Sequence, residues 1–141
     1  MLSTSRSPRS LILFSLSMLL LAASLDAVMD KLQFHYDRSV FAPMKAHRQW
    51  LDPRLSWRNK WRNGDARQGE AFPLSSTSLV GLTDAWHCAK SLWIACILLA
   101  ILAPFTALVR LRWWAWVLVF FGAEVVYGGW FELLFSRVLT R

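Results

Sequence analysis

The sequence contains little cysteine and lacks the short motifs on which most enzyme and metal sites depend. Its two cysteines, Cys88 and Cys96, lie eight positions apart in one predicted helix. That separation is a rise of about 12 Å, which excludes an intrachain disulfide. No C-x-x-C, H-E-x-x-H, G-x-S-x-G, P-loop or glycine-rich dinucleotide motif occurs. The sequence therefore predicts no metal site and no cofactor.

Acidic residues are scarce as well. Nine Asp and Glu face 16 Lys and Arg, which gives a formal charge of +7. In a soluble domain this excess would suggest nucleic acid, but here the charges lie between and beside apolar segments, where anionic lipid headgroups are the nearer partner. We therefore expect contacts with membrane lipids, and with other membrane subunits or a second copy of the chain, and no nucleic-acid binding.

Apolar and aromatic residues, in contrast, are abundant. Hydrophobic residues make up 55% of the 141 positions, more than the roughly 45–50% of soluble chains. Nine Trp and nine Phe favour membrane interfaces, where an indole can keep its N–H hydrated. The expected fold class is an all-α membrane protein with about three transmembrane helices, an N-terminal span plus a C-terminal helical hairpin, and an irregular, basic extracytoplasmic segment.

Three regions follow along the chain. Residues 1–28 form an N-terminal transmembrane anchor, with a cleaved signal peptide as the alternative, because two arginines precede an apolar run that ends in small residues. Residues 29–76 form a basic, Trp-rich loop broken by three prolines, with strand-like alternation over 31–37. Residues 77–141 form the hairpin, whose first helix starts near 78 and is kinked by Pro104.

The short basic clusters predict the topology. Arg6 and Arg9 precede the first span, and Arg110 and Arg112 occupy the hairpin turn. Because short cytoplasmic segments are enriched in Lys and Arg, both clusters are expected inside, and the loop and the C-terminus outside. The predicted location is the bacterial inner (cytoplasmic) membrane, with several passes.

Glu124 lies near the middle of the last apolar stretch, where an ionisable group costs roughly 2.5–3.5 kcal/mol on insertion scales. It could be a proton or ligand site, or a contact with a partner subunit. The preferred interpretation is a carboxyl that fixes helix packing, with Tyr127 one turn away. The nearby glycines would let another helix approach closely; they are Gly122, Gly128 and Gly129.

Asp84, His87 and Ser91 share one stripe of a predicted helix at the outer interface. Such an Asp–His pair can orient an imidazole as a general base or metal ligand, and His35 could supply a further ligand. The preferred interpretation is a pair that caps and anchors the helix.

Two further pairs complete the set of candidates. Trp57 and Trp61, four apart and flanked by arginines, are predicted to share a helical face and to anchor the loop at the membrane surface. Lys90 and Glu132 lie equally far from the hairpin turn, so we expect them at the same membrane depth, where they could form an ion pair.

The stretch Ser-Trp-Arg-Asn-Lys-Trp at 56–61 and the segment 72–87 resemble a group of small bacterial multi-pass membrane proteins that have no known activity. The resemblance covers about the central third of the chain and implies a bacterial membrane location only. The function predicted is that of a structural or accessory membrane component rather than an enzyme. The alternatives are an enzyme acting on lipid at the membrane interface, through Asp84, His87 and His35, and a small transport component that uses Glu124.

Overall fold

The computed structural model describes residues 7–109 and 111–133, without the side chains of Pro8, Phe131 and Glu132. Five α-helices form in this part: α1 (Pro8–Phe34), α2 (Arg48–Leu51), α3 (Pro53–Ser56), α4 (Ala85–Leu108) and α5 (Trp113–Leu133). Short 3-10 turns join α1 to α2 and α3 to α4. Within these ranges the chain has no strand, only an isolated antiparallel bridge between Trp61 and Glu70. The all-helical class is therefore confirmed for the described residues.

The chain divides into two compact units, Met1–Leu20 with Ile94–Arg141 and, between them, Leu21–Trp93. We call the second one the polar unit. It differs from the predicted loop of 29–76 because the end of α1 and the first turns of α4 belong to it. Leu32 near the end of α1 and Ala89 in α4 are both buried.

The unit of residues 1–20 and 94–141 has a small interior in its described part. Ser15 Oγ donates a hydrogen bond to the Ala100 carbonyl at 2.9 Å, which ties α1 to α4. Leu11, Cys96 and Ala100 are buried. Most other large apolar side chains of this unit are exposed, including nearly all of those on α5.

Two helices are long and apolar enough to cross a membrane, Arg9–Phe34 and Ala85–Leu108, and only 11% and 17% of their most apolar windows are buried. About 20 apolar residues suffice for a span. Over its described residues α5 does not meet the same criterion. Four Trp, three Gly and Glu124 lower its mean hydropathy.

Two predicted helix limits need correction. α1 continues to Phe34, so the strand expected at 31–37 is wrong, and residues 36–38 form a 3-10 turn. α4 begins at Ala85 rather than near 78, because a separate 3-10 turn, Val80–Leu82, precedes it. Pro104 lies inside α4 without ending the helix.

The polar unit is held together more by hydrogen bonds than by a large apolar core. Its buried apolar residues are few, and most lie on α1 or, like Tyr36, in the 3-10 turn that follows it. Its buried polar residues are as numerous: Asp52, Ser56, Ser75, Thr83 and Asp84. The segment predicted to be irregular is thus a series of short helices and turns joined by side-chain hydrogen bonds.

Candidate functional site

Asp84 caps the N-terminus of α4. Its carboxylate accepts hydrogen bonds from the His87 backbone N–H at 2.9 Å and from Thr83 Oγ1 at 3.0 Å. Its own carbonyl accepts from the backbone N–H of Cys88 at 3.0 Å. The side chain is almost fully buried. A capping carboxylate satisfies backbone donors that a helix start leaves unpaired, which explains why α4 begins at Ala85.

The same carboxylate orients the His87 ring. Its Oδ2 and Oδ1 atoms lie 2.7 and 2.9 Å from Nδ1 of His87. Because an ionised carboxylate only accepts hydrogen bonds, Nδ1 carries the proton. In the neutral ring Nε2 is then an acceptor, and the Lys60 ammonium group lies 3.3 Å from it. The three side chains form a chain from carboxylate through imidazole to ammonium.

The protonation of Asp84 follows from these contacts. Burial raises the pKa of the Asp84 carboxyl, yet the hydrogen bonds from the His87 side chain and backbone and from Thr83 hold it below its ordinary value. The carboxylate is therefore ionised at neutral pH, as its capping role requires.

An open cavity of about 270 Å³ lies beside the Asp84 and His87 side chains. The indole of Trp86 packs edge-on against the His87 ring, with the ring centroids 4.9 Å apart. Within the described residues, no hydroxyl or thiol is hydrogen-bonded to either nitrogen of that ring. The residues lining the cavity are Gln33, Pro53, Ser56, Trp57, Asp84, Trp86 and His87.

This arrangement holds the imidazole in place and leaves it poorly placed to act as a general base. The Nε2 lone pair that a general base would use points at Lys60. His35 is exposed, and no three His, Cys, Asp or Glu side chains in the described part of the chain are grouped so that they could hold a metal ion. The structure thus brings Asp84 and His87 together, as predicted, and does not add His35 to them.

Asn59 joins α2 to the segment that precedes α4. Its Nδ2 donates to the carbonyls of Gln49 at 3.0 Å and Thr83 at 2.8 Å. Its Oδ1 accepts from Gln49 Nε2 at 2.7 Å. The neighbouring carbonyl of Lys60 accepts from Ser75 Oγ at 2.7 Å. The 3-10 turn Trp57–Lys60 therefore connects α2, the 70–76 segment and the start of α4.

A second cluster centres on Asp52, which is fully buried. Its carboxylate accepts from Arg48 Nε at 3.1 Å and from three Arg54 donors, the backbone N at 3.0 Å, Nε at 2.9 Å and Nη2 at 3.1 Å. Arg54 in turn pairs with Asp37 at 2.8 Å. The hydrogen bonds from Arg54 and Arg48 outweigh the effect of burial and lower the pKa of Asp52 to about 2.

A second cavity, of about 300 Å³, opens in the polar unit. Arg58 lines it and forms no ion pair with any described residue; its guanidinium carbon lies 5.5 Å from the Trp57 ring centroid. The full lining is Gln49, Leu55, Arg58, Asn59, Trp61, Asn63 and Gly64.

The other predicted residues remain apart from these clusters. The 3-10 turn that starts at Trp57 ends at Lys60, and Trp61 is extended, so the two indoles do not share a helical face as predicted. Glu124 is half-buried, and neither Tyr127 nor any other described residue hydrogen-bonds to it. Lys90 Nζ lies 5.2 Å from the Trp86 ring centroid. The side chain of Glu132, its predicted partner, lies outside the described residues.

Sequence reasoning missed Lys60, Asn59 and Asp52. The Asp52 cap could have been found, because an Asp followed by Pro53 is a typical helix start, and Arg48 lies four positions earlier. Lys60 reaches across 27 positions and Asn59 across 24, and no local pattern signals contacts at that range.

No protein-family model matches the chain, and neither the curated proteins nor the solved structures include a significant match. The resemblance to small bacterial membrane proteins therefore rests on the short motifs alone. The function has to be argued from the residues of this chain.

Proposed function

We propose that this chain is a small accessory protein of the bacterial inner membrane, with three spans and an exported polar unit that contacts anionic lipid headgroups and membrane subunits. The observation that carries the proposal is that hydrogen bonds within the fold occupy the His87 side chain. Its backbone N–H, Nδ1 and Nε2 all have partners inside the polar unit. The His87 imidazole therefore helps to hold the fold of the unit together.

The exposed apolar surface of the long helices supports the membrane location. Leu13 and Leu20 on α1 are exposed by 65% and 73%. A water-soluble chain would bury such side chains, whereas lipid acyl chains cover them without cost. Within the two candidate spans, the described apolar side chains are mostly on the surface.

The aromatic pattern of α5 supports a third span. Its 21 residues are about 31 Å long, close to the roughly 30 Å of a hydrocarbon core. Trp113, Trp114 and Trp116 lie at one end and Trp130 lies near the other. Indoles at both ends of a helix are the pattern expected where it crosses the two interfaces.

The charge of the polar unit supports lipid contact. Its turns carry exposed cations, among them Arg58, Arg62 and Arg67. Each cation near an anionic membrane surface contributes about 1 kcal/mol of attraction. The two acidic side chains that accept the most hydrogen bonds, Asp52 and Asp84, are buried, which leaves the cations to dominate the surface.

The runner-up is an enzyme acting at the membrane interface, and the 2.7 Å contact between Asp84 and His87 favours it. A carboxylate that fixes an imidazole is a frequent part of general-base catalysis. In this chain Lys60 would first have to leave Nε2, and neither ring nitrogen is hydrogen-bonded to a hydroxyl or thiol in the described residues. The accessory role needs neither the displacement of Lys60 nor a nucleophile beside the ring.

The topology can be tested by cysteine labelling in intact spheroplasts. In a background with Cys88 and Cys96 replaced by Ala, a single cysteine at Ala66, an exposed position, should react with a membrane-impermeant maleimide. A single cysteine at Arg112 should react only after lysis. The reverse pattern would refute the proposed topology.

Lipid contact can be tested by hydrogen exchange of the full chain in nanodiscs. Replacing one third of the phosphatidylcholine by phosphatidylglycerol or phosphatidylserine should slow exchange at least twofold in peptides covering 57–70. High salt should remove the effect, because exposed charges are screened. Equal exchange in neutral and anionic discs would refute the lipid part of the proposal.

A further inference from the structure

We infer that the second cavity of the polar unit binds a phosphate ester that carries neighbouring hydroxyl groups, of which the headgroup of phosphatidylglycerol is the membrane-bound form. The inference deepens the proposed function and rests on it, since it assigns the lipid contact to one site. The juxtaposition that carries it is an Arg without an acidic partner among the described residues, which lies beside amide side chains and an indole in a single cavity.

The charge of the cavity selects an anion. Arg58 is the only charged residue of the lining, and no carboxylate lines the cavity within the described part of the chain. Asp65, close in sequence, is turned to its own loop, where it accepts from the Arg67 backbone N–H at 2.9 Å. A guanidinium can bind two phosphate oxygens side by side, and Arg58 has no ion pair in the described residues that would compete.

The remaining lining selects hydroxyl groups. Each amide side chain has a carbonyl oxygen and two N–H donors, so it can accept from one hydroxyl and donate to another. Asn63 uses Nδ2 for Gln68 Oε1 at 2.9 Å, and Gln49 uses Nε2 for Asn59 Oδ1. Their carbonyl oxygens, Oδ1 of Asn63 and Oε1 of Gln49, have no partner among the described residues and can accept from the ligand.

The cavity is also of the right size and is held in shape. Small-molecule sites range from roughly 300 to 1,000 Å³, and about 300 Å³ suits a headgroup rather than a whole lipid. Asn63 and Gly64 adopt positive φ angles of 51° and 75°, which form a tight turn. The Arg62 N–H donates to the Gly69 carbonyl at 3.0 Å and closes this loop. The Trp61 indole supplies an apolar wall for the carbon atoms of the ligand.

The test is calorimetric titration of the full chain in a neutral detergent. Four probes are compared: dihexanoyl phosphatidylglycerol, dihexanoyl phosphatidylserine with the same net charge and no diol, glycerol 3-phosphate, and inorganic phosphate. Phosphatidylglycerol should bind at least fivefold more tightly than phosphatidylserine. Equal affinity for glycerol 3-phosphate would identify a free phosphate ester as the ligand of the same site.

Two variants and a control locate the site. Arg58→Gln should weaken phosphatidylglycerol binding at least tenfold, whereas Arg67→Gln, which removes an exposed charge from the same loop outside the cavity, should change it less than twofold. Asn63→Gly keeps the positive φ and should reduce the preference for phosphatidylglycerol over phosphatidylserine. Far-UV circular dichroism checks that each variant is folded.

The outcomes separate the inference from the proposed function. Equal binding of both anionic lipids, with equal losses in Arg58→Gln and Arg67→Gln, would overturn the site and leave diffuse lipid contact standing. Slowed exchange in anionic nanodiscs together with no saturable binding of any probe would also overturn the site alone. Unchanged exchange in anionic nanodiscs would instead remove the lipid contact itself.

Discussion

Replacing Asp52 with Asn tests whether a buried charge holds α2 and α3 together. The substitution keeps the shape and one acceptor oxygen, which can still cap α3 through the Arg54 backbone N–H. It places an NH₂ group against Arg48 Nε and Arg54 Nη2, where the carboxylate had accepted. Two donors then face each other, and the charge is lost.

The magnitude follows from the pKa of the Asp52 carboxyl. A pKa of about 2 in place of 3.8 corresponds to at most about 2.5 kcal/mol of stabilisation. Both arginine side chains are 56% exposed, so solvent screening reduces the expected loss to about 1–2 kcal/mol. Asp37→Asn provides the control, because the one ion pair of this exposed carboxylate among the described residues is with Arg54, and its loss should cost less than about 0.5 kcal/mol.

The assay is urea unfolding of the full chain in a mild detergent, followed by Trp fluorescence at a series of pH values. Because the native pKa of Asp52 is lowered, its contribution is complete above the unfolded-state pKa and is lost as the pH falls toward about 2. The difference between wild type and Asp52→Asn should therefore be constant from pH 7 to about 5 and shrink below about 4. A difference no larger than that of Asp37→Asn, or one independent of pH, would refute the reasoning.

Three more changes probe the start of α4. Asp84→Ala should lower the free energy of unfolding by about 0.5–2 kcal/mol through loss of the cap, and Asp84→Asn should lower it by less because Asn still accepts from the His87 backbone N–H. Because the pKa of Asp84 is lowered, the difference between wild type and Asp84→Asn should persist at neutral pH and shrink as the pH falls below the ordinary Asp range. Equal losses in the two variants would contradict the cap. Gly81→Ala should destabilise the fold by about 1 kcal/mol, because the new Cβ would lie 2.6 Å from Ser91 Oγ and 3.3 Å from Ser91 Cβ. Adding Ser91→Ala to this variant should recover part of the loss in a double-mutant cycle. Strict additivity of the two changes would exclude the clash. Lys60→Met should speed the reaction of His87 with diethyl pyrocarbonate several-fold, since it frees Nε2, whereas Lys45→Met should not. Mass spectrometry measures the rate, with His35 and His47 as internal references. An unchanged rate would show that Lys60 does not shield the ring.

The sequence predicts the long helices better than the polar unit, for a physical reason. Apolar runs such as 11–28 are local signals, and α1 and α4 lie where those runs predict them, apart from their ends. The pair of Asp84 and His87 was also predictable, because three positions separate them. Asn59 and Lys60 contact Thr83 and His87 through single hydrogen bonds over more than 20 positions. Such contacts depend on how several short turns add up, which hydrophobic periodicity does not encode.

The long reach of Asn59 has a consequence for the order in which the protein is made. In the proposed topology, residues 49 and 59 leave the ribosome and cross the membrane before residue 83, whose carbonyl is one of the two that Asn59 binds. In the proposed topology, we expect the exported segment to stay incompletely folded until the first turn of α4 follows it across. Completion of the fold would then coincide with insertion of the second span, and a chain arrested before residue 83 would expose this segment to periplasmic proteases.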